Sequence, residues 1–489
     1  MTTPVNPIEY LYFGAKFRPN DVAIQSLAGE VTWGELLSIV RRIAYKLRQT
    51  GVRPNQLAVT CLRDMQPDWM VTLALMHEAV ASCAAPGQIP VELEPDLVLT
   101  NTELPQVPNT KMIFLDDRWL KEIPEVPENF RPQPFASKDS LFRLILTSGT
   151  TGGRLKAAEF SLDTFLRRCE RMTSPSNPYA TELCTISLGS VTGFTLALRK
   201  LMRGLAFYYA KNDAKEIVRL INAYHIECLS GSPFQLTALI GELQRTSRRL
   251  SSLKTVWYVG GGASPALVAN MRRELCPTVV CLYGSTEVGV VSYCLVHDVS
   301  QQPGMVGYVV PEAEAQIVNE EDQPLEMGAE GAIRLKASGM ASGYYKNPEE
   351  TSRSYRDGWF YPGDRGRLLN GMLVLTGRDQ ELINRGGIRV SPTHIDFLIQ
   401  RCEGILDAAT FGFENHLGCE DICAAVVVAD DFKMEPFQRQ LAQALPWEER
   451  PSLILKLKEI PRNQMGKPMR SQMRELHGET LRQQLKRTR

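Results

Sequence analysis

One stretch of the sequence, LTSGTTGGRLK at residues 146–156, concentrates groups that proteins use to bind phosphate. Glycines let backbone N–H groups approach an anion closely, hydroxyl side chains donate to phosphate oxygens, and cationic side chains offset the charge. The spacing is not that of a Walker loop, and a single stretch of this kind is also compatible with a flexible surface loop. The candidate phosphate-binding residues are Thr147, Ser148, Gly149, Thr150, Thr151, Gly152 and Lys156.

Later motifs each supply a group suited to a nucleotide. In YGSTEVG, Tyr283 could stack on a base and Glu287 could hold Mg²⁺ on phosphates. Asp364, in the Pro-Gly turn of WFYPGDRGRL, suits the hydroxyls of a ribose. Arg378 lies in TGRDQELINRGG, and Lys467 lies in a Gly-Lys-Pro turn near the C-terminus. Taken singly, these residues have structural alternatives, namely a core tyrosine, a surface ion pair and an exposed lysine.

The elements that must position these residues alternate between helices and short apolar strands. Thr32 and Glu35 form a capping box at the start of an amphipathic helix that we expect to stop at Gly51. The alternation predicts an α/β fold with a largely parallel sheet. Ligands bind such sheets at the carboxyl ends of the strands, and the glycine- and hydroxyl-rich segments directly follow their strands. Proline-rich residues 104–136 are interpreted as an irregular crossover.

The pattern changes near residue 378, where a short polar segment precedes about a hundred residues of mixed α+β character. We therefore predict an α/β protein with a large N-terminal domain of layered sheets and helices, residues 1–378. A small, mobile α+β C-terminal domain would span residues 379–489, with a hinge at about residues 379–382.

Composition excludes several classes of function. The chain has 489 residues, too many for one core, and its 55 basic residues balance 55 acidic ones. This balance gives no electrostatic reason to expect nucleic acid as a partner. The N-terminus lacks the features of a signal peptide and no apolar run is long enough to span a bilayer. Eleven unpaired-looking cysteines fit a reduced, cytoplasmic protein, and Cys419 and Cys423 beside His416 are interpreted as structural rather than zinc-binding.

Together, in this order and spacing, the motifs resemble the adenylate-forming superfamily of acyl-CoA synthetases, stand-alone adenylation domains and luciferases. The resemblance runs from VTWGEL to GKPMR, nearly the whole chain. It implies a large N-terminal domain, a small mobile C-terminal one, and the use of ATP and Mg²⁺. It also implies a small carboxylic acid as substrate, with CoA, or the phosphopantetheine of an acyl carrier protein, as thiol acceptor.

The resemblance also implies roles for individual residues. The catalytic residues would be Lys467, Glu287 and Thr286, with Glu287 and, more weakly, Thr151 as Mg²⁺ ligands. Besides the phosphate loop, ATP and AMP would contact Gly261, Gly262, Tyr283, Gly284, Asp364 and Arg378. Gln380 would be the hinge, and Gly386 and Gly387 would line the thiol tunnel. The acyl pocket would include Ser190, Gly193, Phe194, Gly260, Ser285 and Val290.

The sequence departs from the family pattern in ways that bear on the loop and the substrate. The phosphate loop is one residue longer than usual, and Lys156 is preferred to Leu155 as its lysine because phosphate contact needs a cation. Ser190 stands where a histidine gate is common. The segment SLGSVTGFTLAL lacks the Asp that would hold an α-ammonium, and burying an unpaired ammonium is costly. We therefore expect an acid without an α-amino group, held in an apolar pocket.

Three hypotheses follow. The leading one is an acid–thiol ligase that makes an acyl-AMP and transfers the acyl group to CoA. The second, within the same family, is a stand-alone adenylation enzyme that loads a separate carrier protein. The third, from another class, is a catalytically inactive scaffold or sensor, although the retention of Lys467, Glu287, Asp364 and Arg378 speaks against it.

Overall fold

The computed structural model describes most of the chain. The described residues are 5–85, 89–122, 125–148, 155–171, 180–211, 213–259, 265–295, 304–378, 381, 383–385, 388–414, 420–463 and 467–487.

The helices lie mainly between strands, as the alternation of the sequence predicted. Those of the N-terminal part are α1 (Glu9–Phe17), α2 (Trp33–Gln49), α3 (Met65–His77), α4 (Asp117–Lys121), α5 (Leu162–Arg171), α6 (Val191–Arg203), α7 (Ala214–Ala223), α8 (Pro233–Thr246), α9 (Pro265–Glu274) and α10 (Pro348–Ser354). Those of the C-terminal part are α11 (Pro392–Ile399), α12 (Met434–Ala444) and α13 (Arg470–Arg487).

The strands of the first half of the chain are short. They are β1 (Val22–Ser26), β2 (Gly29–Thr32), β3 (Leu57–Cys61), β4 (Ala81–Ala84), β5 (Leu97–Thr100), β6 (Lys111–Phe114), β7 (Leu141–Ser148), β8 (Leu155–Ser161), β9 (Glu182–Cys184), β10 (Phe207–Tyr209), β11 (Cys228–Gly231), β12 (Thr255–Val259) and β13 (Thr278–Ser285).

The strands of the second half include longer antiparallel pairs. They are β14 (Gly289–Leu295), β15 (Met305–Val309), β16 (Ala313–Val318), β17 (Gly331–Ala337), β18 (Gly343–Tyr344), β19 (Tyr355–Arg356), β20 (Trp359–Phe360), β21 (Asp364–Leu369), β22 (Met372–Arg378), β23 (Ile383–Arg385), β24 (Ile388–Val390), β25 (Ile405–Glu414), β26 (Glu420–Val428) and β27 (Leu453–Lys456).

Two sheets dominate the described N-terminal part. The larger runs in the order β19-β20-β17-β21-β22-β15-β14-β13-β12-β11-β9-β10-β1-β2, with β16 paired to β17. The smaller runs β18-β8-β7-β4-β3-β5-β6. In the larger sheet, the strands from β13 through β12, β11, β9 and β10 to β1 are parallel. The predicted parallel sheet therefore forms the centre of this layer, and antiparallel strands flank it.

Helix α2 illustrates how local sequence fixes an element. The Thr32 hydroxyl accepts a hydrogen bond from the Glu35 backbone N–H at 3.3 Å, and the Glu35 carboxylate accepts one from the Thr32 N–H at 2.8 Å. This capping box satisfies N–H groups that the first helical turn leaves without partners. Leu36, Val40 and Leu47 bury the opposite face of the helix in the core. The predicted capping box and helix are confirmed.

The crossover predicted as irregular contains regular structure. Residues 104–136 include strand β6, which extends the smaller sheet, and the short helix α4. The described prolines of this segment fall outside these two elements, where they do not interrupt backbone hydrogen bonding. Composition therefore identified the turns of this segment but not the strand between them.

The C-terminal part is a separate α+β unit. Strands β25 and β26 are antiparallel, β27 adds in parallel, and helices α11 to α13 cover the sheet. Its core is distinct from those of the larger part and includes Ile395, Phe437 and Leu441. Among the described residues, no helix combines the length and apolar character needed to cross a bilayer.

Candidate active site

A large cavity of about 2530 Å³ lies between the two parts of the chain. Thr147, Tyr283 and Asp364 line it from the N-terminal part, and Lys467 and Arg470 line it from the C-terminal part. Residues that the sequence separates by more than 300 positions thus share one space. The following contacts define the chemistry of its walls.

A chain of three polar side chains crosses one wall. Asp364 begins β21 and pairs with Arg378 at the end of β22, so both side chains stand side by side on one face. Arg378 Nε lies 2.7 Å from Asp364 Oδ1, and the Tyr283 hydroxyl donates to Asp364 Oδ2 at 2.7 Å. Burial and the Asp364 charge raise the pKa of Tyr283 well above its usual value. The carboxylate is thus fixed from both sides and is itself buried.

Glu287 lies in the turn between β13 and β14. The Tyr344 hydroxyl donates to Glu287 Oε1 at 2.8 Å, and burial followed by the Glu287 charge raises the pKa of Tyr344. The guanidinium of Arg168, on α5, donates to the carbonyl of Thr286 at 2.6 Å and to that of Glu287 at 2.9 Å. These contacts hold the turn rigidly from both its side chain and its backbone.

Gly284 has a structural reason to be glycine. A Cβ at this position would lie 1.9 Å from the carbonyl oxygen of Gly289, across the β13–β14 pair. Only glycine therefore permits the close approach that places Thr286 and Glu287 in their turn. Gly284, Ser285 and Thr286 all line the cavity.

Glu287 fits the donor chemistry of a magnesium site. The Tyr344 hydrogen bond occupies one carboxylate oxygen, and within the described part of the chain Oε2 has no hydrogen-bond partner. Mg²⁺ prefers such oxygen ligands and is commonly held by one or two carboxylates together with phosphates. Glu287 itself is buried and does not belong to the described lining of the cavity, whereas Tyr344 does.

Thr147 and Lys156 face each other at the end of the β7–β8 pair. Both line the cavity, and Leu155 is not part of the described lining. The Lys156 ammonium forms an ion pair with Glu350 and lies 5.3 Å from the centre of the Tyr344 ring. The cation that the sequence favoured over Leu155 therefore faces the cavity, but a carboxylate already holds it.

Lys467 reaches the cavity from a tight turn of the C-terminal part. Its backbone N–H donates to the Asn463 side chain at 3.0 Å, and its carbonyl accepts from the Asn463 N–H at 2.9 Å. The Arg378 charge, with burial second, lowers the pKa of Lys467, and Asp364, Glu381 and Glu287 act in the opposite sense. The turn thus brings the lysine into the electrostatic field of the Asp364–Arg378 pair.

Arg470 stabilises the position of the Lys467 turn through polar contacts. It contacts Glu381 at 3.2 Å and Asp396 at 2.9 Å, and it donates to the carbonyl of Thr410 at 3.0 Å. Glu381 lies just after β22, whereas Asp396 and Thr410 belong to the C-terminal part. The start of α13, and with it the Lys467 turn, is thereby tied to the segment that joins the two parts.

The predicted acyl-pocket residues divide into two groups. Ser190, Ser285 and Val290 line the cavity. Gly193 and Phe194 do not belong to its described lining. Phe194 is buried among aromatic rings, with its ring centre 5.0 Å from that of Phe165. The motif alone does not show which face of helix α6 lines the cavity.

Gly193 serves the start of α6 instead. The Ser190 hydroxyl accepts a hydrogen bond from the Gly193 N–H at 3.1 Å and caps the helix. A Cβ on Gly193 would lie 2.2 Å from the Ser187 carbonyl oxygen and 2.5 Å from that of Ile186. The glycine therefore lets the helix begin against the preceding backbone and has no wall-forming role.

The pocket wall is more polar than expected. The cavity face of α6 carries Thr195 and Arg199, and Glu182 and Ser230 follow from β9 and β11. The described wall thus differs from the apolar pocket that the sequence predicted, since a buried cation and a carboxylate lie among its apolar residues. Arg199, beyond the first turns of α6, and Glu182, on β9, lie outside the motif SLGSVTGFTLAL that suggested the apolar pocket.

Three residues of the cavity lining, Tyr344, Arg168 and Arg199, lie in no recognised motif and were not predicted from the sequence. The signal for Arg199 was an Arg-Lys pair inside an otherwise apolar helix, LALRKLM. The partners of Glu287 are more than fifty positions away along the chain, and no local pattern reveals such a pairing.

Some predicted site residues lie outside the described residues. These are Gly149, Thr150, Thr151, Gly152, Gly260, Gly261, Gly262, Gln380, Gly386 and Gly387. Ser148 ends β7, but its side chain is outside the description, and His416 and Cys419 are outside it altogether. The described cysteines are buried.

The structure has close counterparts. It superposes with a TM-score of 0.82 on the o-succinylbenzoate CoA synthetase (MenE) of Bacillus subtilis in complex with its acyl-adenylate intermediate, at 20% identity and covering 97% of this chain and 98% of the other. The same enzyme in complex with ATP and a magnesium ion gives a TM-score of 0.81, at 20% identity over 95% of this chain and 99% of that one. These likenesses confirm the predicted fold class.

Sequence comparison finds curated relatives with the same organisation. The fatty acid–[acyl-carrier-protein] ligase MmaC of Mycobacterium marinum is 25% identical, over 96% of this chain and 97% of its own length. The medium/long-chain-fatty-acid–CoA ligase FadD8 of Mycobacterium tuberculosis is 25% identical over 71% of this chain, and the match spans 63% of FadD8, less than two thirds of that relative. The family model described as "AMP-binding enzyme" matches residues 13–345. The chain therefore belongs to the AMP-binding enzyme family, a family of AMP-forming acid–thiol ligases.

Proposed function

We propose that this protein uses ATP and Mg²⁺ to convert a carboxylic acid into an acyl-AMP and then transfers the acyl group to a thiol. The observation that carries the proposal is the approach of Lys467, from the C-terminal part, to the Tyr283–Asp364–Arg378 chain of the N-terminal part. A cavity without a catalytic role would not need a lysine of one part beside the polar chain of the other. An enzyme that joins a nucleotide to a carboxylate would need a cation at that position.

The first step must bring two anions together. A carboxylate oxygen attacks the α-phosphorus of ATP, the P–O bond to pyrophosphate breaks, and pyrophosphate leaves with the bonding electrons. The Lys467 ammonium would offset the charge that the carboxylate and phosphate share as the new bond forms. The Thr286 hydroxyl, on its rigid turn, would donate a hydrogen bond to an α-phosphate oxygen.

The remaining contacts would position the nucleotide. Asp364 would accept hydrogen bonds from the ribose hydroxyls, with Arg378 beside it, and Tyr283 would lie against the adenine. The phosphate loop at Thr147–Lys156, most of it outside the described residues, would hold the leaving pyrophosphate. When bound, Mg²⁺ would neutralise phosphate charge, and Glu287 Oε2 is the atom of this chain that would hold it.

The second step needs a different arrangement of the two parts. We propose a boundary at residue 378, with Gln380 as hinge and with domains at residues 1–378 and 379–489. Rotation at the hinge would withdraw Lys467 and bring in the Gly386–Gly387 segment to line a thiol tunnel. The thiolate would then attack the acyl carbon, and AMP would leave with the electrons of the broken C–O bond.

The acceptor and the acid are matters for experiment. The relatives include a ligase of fatty acids to a carrier protein and a ligase of fatty acids to CoA. CoA is the acceptor we propose, and the phosphopantetheine of a separate acyl carrier protein is the alternative. Among the described residues that line the cavity beside α6, the Glu182 carboxylate already has partners in Ser230 and Lys200. This supports an acid without an α-amino group.

The test is a screen of carboxylic acids for pyrophosphate release, with and without CoA. We expect acid-dependent release that becomes catalytic when CoA is present, with AMP as the nucleotide product. Release that stays stoichiometric with CoA but turns over with a loaded carrier protein would select the alternative acceptor. No release with any acid, from protein that is folded and binds ATP, would favour the inactive scaffold and refute the proposal.

A further inference from the structure

One face of helix α6 lines the cavity, and the last residue on that face is the cationic Arg199. Val191, Thr195 and Arg199 succeed one another at four-residue spacing, and all three line the cavity. Arg199 follows the Ser190 cap by nine residues, which corresponds to about 13 Å along a helix axis. The face therefore leads from the start of the helix deep into the acyl region.

The Arg199 side chain is largely buried and has no hydrogen-bond or ion-pair partner among the residues that the structure describes. The residue is 8% exposed, its Nε has no hydrogen-bond acceptor, and no ion pair joins it to any residue that the structure describes. Arg168 shows the contrast, since two backbone carbonyls accept from its guanidinium. A buried guanidinium without an acceptor is unfavourable, so the site is complete only when something else supplies one.

The neighbouring carboxylate does not supply it. Glu182 accepts a hydrogen bond from Ser230 at 2.9 Å and lies 3.5 Å from the ammonium of Lys200. Arg203, one turn beyond Arg199, adds a further positive charge nearby. Three cations therefore surround one carboxylate that is already engaged, and the region has an excess of positive charge that favours an anion.

This region is distinct from the reacting end of the cavity. The charges that act on Lys467 are those of Arg378, Asp364, Glu381 and Glu287. The charged neighbours that act on Arg199 are Arg203 and Glu182, and the two sets share no member. A molecule that reaches both ends must carry one group for each.

We propose that the acid substrate is a dicarboxylic acid, whose second carboxylate binds Arg199 while the first is activated beside Lys467. The inference rests on the proposed function and adds the substrate class to it. Guanidinium and carboxylate form paired, charge-assisted hydrogen bonds, and the planar fork of arginine suits this recognition better than the ammonium of lysine. Arg199 would therefore determine specificity without taking part in bond formation.

The test is acid-dependent exchange of labelled pyrophosphate into ATP with matched pairs of acids. Each pair comprises an α,ω-dicarboxylic acid and the monocarboxylic acid of equal chain length, across a series of lengths. For the unaltered protein we expect at least one dicarboxylic acid to exceed its partner by about tenfold or more in kcat/KM, equivalent to about 1.4 kcal/mol. Arg199→Met should remove that preference and leave exchange with monocarboxylic acids within about twofold.

Two further variants keep the outcome clear. Arg272→Met removes a cation from an exposed position of α9, outside the described cavity lining, and should leave the preference intact. Arg199→Lys retains the charge and should retain part of the preference, which also covers the case in which the methionine variant fails to fold. Without ATP, the favoured dicarboxylic acid should raise the Tm of the unaltered protein but not that of Arg199→Met.

The outcomes separate the inference from the proposed function. Exchange with monocarboxylic acids alone, unchanged by Arg199→Met, would overturn the dicarboxylic acid proposal and leave adenylation standing. A preference for ω-amino acids would overturn it in favour of Glu182 as the recognition group. No exchange with any acid would instead refute the proposed function itself.

Discussion

Tyr283 and Asp364 are joined by a 2.7 Å hydrogen bond that spans 81 positions of the chain. The contact links the end of a central strand, β13, to the first residue of β21. Because Arg378 occupies the other carboxylate oxygen, Asp364 has a fixed orientation before any nucleotide arrives. If Asp364 binds the ribose as proposed, a carboxylate held in this way would lose little conformational freedom on binding.

Tyr283→Phe tests this preorganisation. The change removes one hydrogen bond to a charged group, for which about 1.5–3 kcal/mol is typical, so ATP affinity should fall by about tenfold or more. Isothermal titration of ATP measures the effect. Tyr308→Phe alters an exposed tyrosine on β15 and should leave the affinity unchanged. Equal affinity in all three proteins would mean that Asp364 needs no support from Tyr283.

Lys467→Ala should separate the two half-reactions. Loss of one transition-state charge partner typically lowers a rate by about 10²–10³-fold, and we expect that loss in acyl-AMP formation. Transfer from synthetic acyl-AMP to the thiol should be nearly unaffected. Gly387→Trp should do the reverse, because a large side chain would fill the proposed thiol tunnel. Rapid-quench measurement of each step gives the two rates.

Lys433→Ala provides the control for this pair, since Lys433 lies at the start of α12 and outside the described cavity lining. It should change neither rate. If Lys467→Ala and Gly387→Trp slowed both steps to the same extent, the two domains would not alternate between the steps in the proposed way.

As the pH is raised, adenylation should begin to lose activity before the pH reaches the usual titration range of lysine. Adenylation needs the protonated ammonium of Lys467, and the Arg378 charge lowers the pKa of that group. Activity should therefore fall as pH rises through this lowered value, because the proton is lost. Lys467→Arg keeps its charge to above pH 12, so its slower reaction should show no such decline. A profile of kcat/KM for acyl-AMP formation distinguishes the two, and identical alkaline limbs would contradict the assignment.

Glu287→Gln should raise the magnesium requirement. The amide oxygen can still accept the Tyr344 hydrogen bond, so the change removes charge while retaining the contact. We expect the Mg²⁺ concentration for half-maximal adenylation to rise by about tenfold, in line with the loss of a carboxylate ligand. Glu330→Gln, at an exposed ion pair with Arg367, is the control. An unchanged Mg²⁺ dependence would exclude Glu287 as a ligand.

Gly193→Ala should destabilise the protein. Its Cβ would lie 2.2 Å from a backbone oxygen that cannot move aside easily, and overpacking of this kind costs about 1–3 kcal/mol. Gly241→Ala is a matched control inside α8, where a Cβ would meet nothing within 4 Å. That change should stabilise by about 0.5–1 kcal/mol, because alanine favours the helix. Urea unfolding of both variants measures the difference, and equal stabilities would show that α6 can shift.

The sequence allowed most of the fold to be predicted where the determinants are local. The capping box of Thr32 and Glu35, the alternation of strands and helices, and the change of pattern near residue 378 all depend on neighbouring residues. The motifs also identified Asp364, Arg378 and Lys467 as residues of one site, and all three line the same cavity.

The sequence did not reveal those side-chain directions that depend on distant packing. Phe194 follows a motif residue directly, but the aromatic cluster around Phe165 draws it into the core. Arg199 follows Phe194 by five residues and lies on the face of α6 that lines the cavity. Tyr344 bonds to Glu287 only because β18 joins the smaller sheet beside β8. Each outcome depends on how separate elements pack together, which periodicity within one element does not reveal.

The most direct test of the account is acid-dependent exchange of labelled pyrophosphate into ATP, compared between the unaltered protein and Lys467→Ala. The exchange reports the formation and reversal of acyl-AMP without any thiol. We predict exchange that requires both Mg²⁺ and a carboxylic acid, reduced by about 10²–10³-fold in the variant. Absence of exchange across the acid panel, in folded protein that binds ATP, or exchange that the variant retains in full, would contradict the assignment of this cavity as an adenylation site.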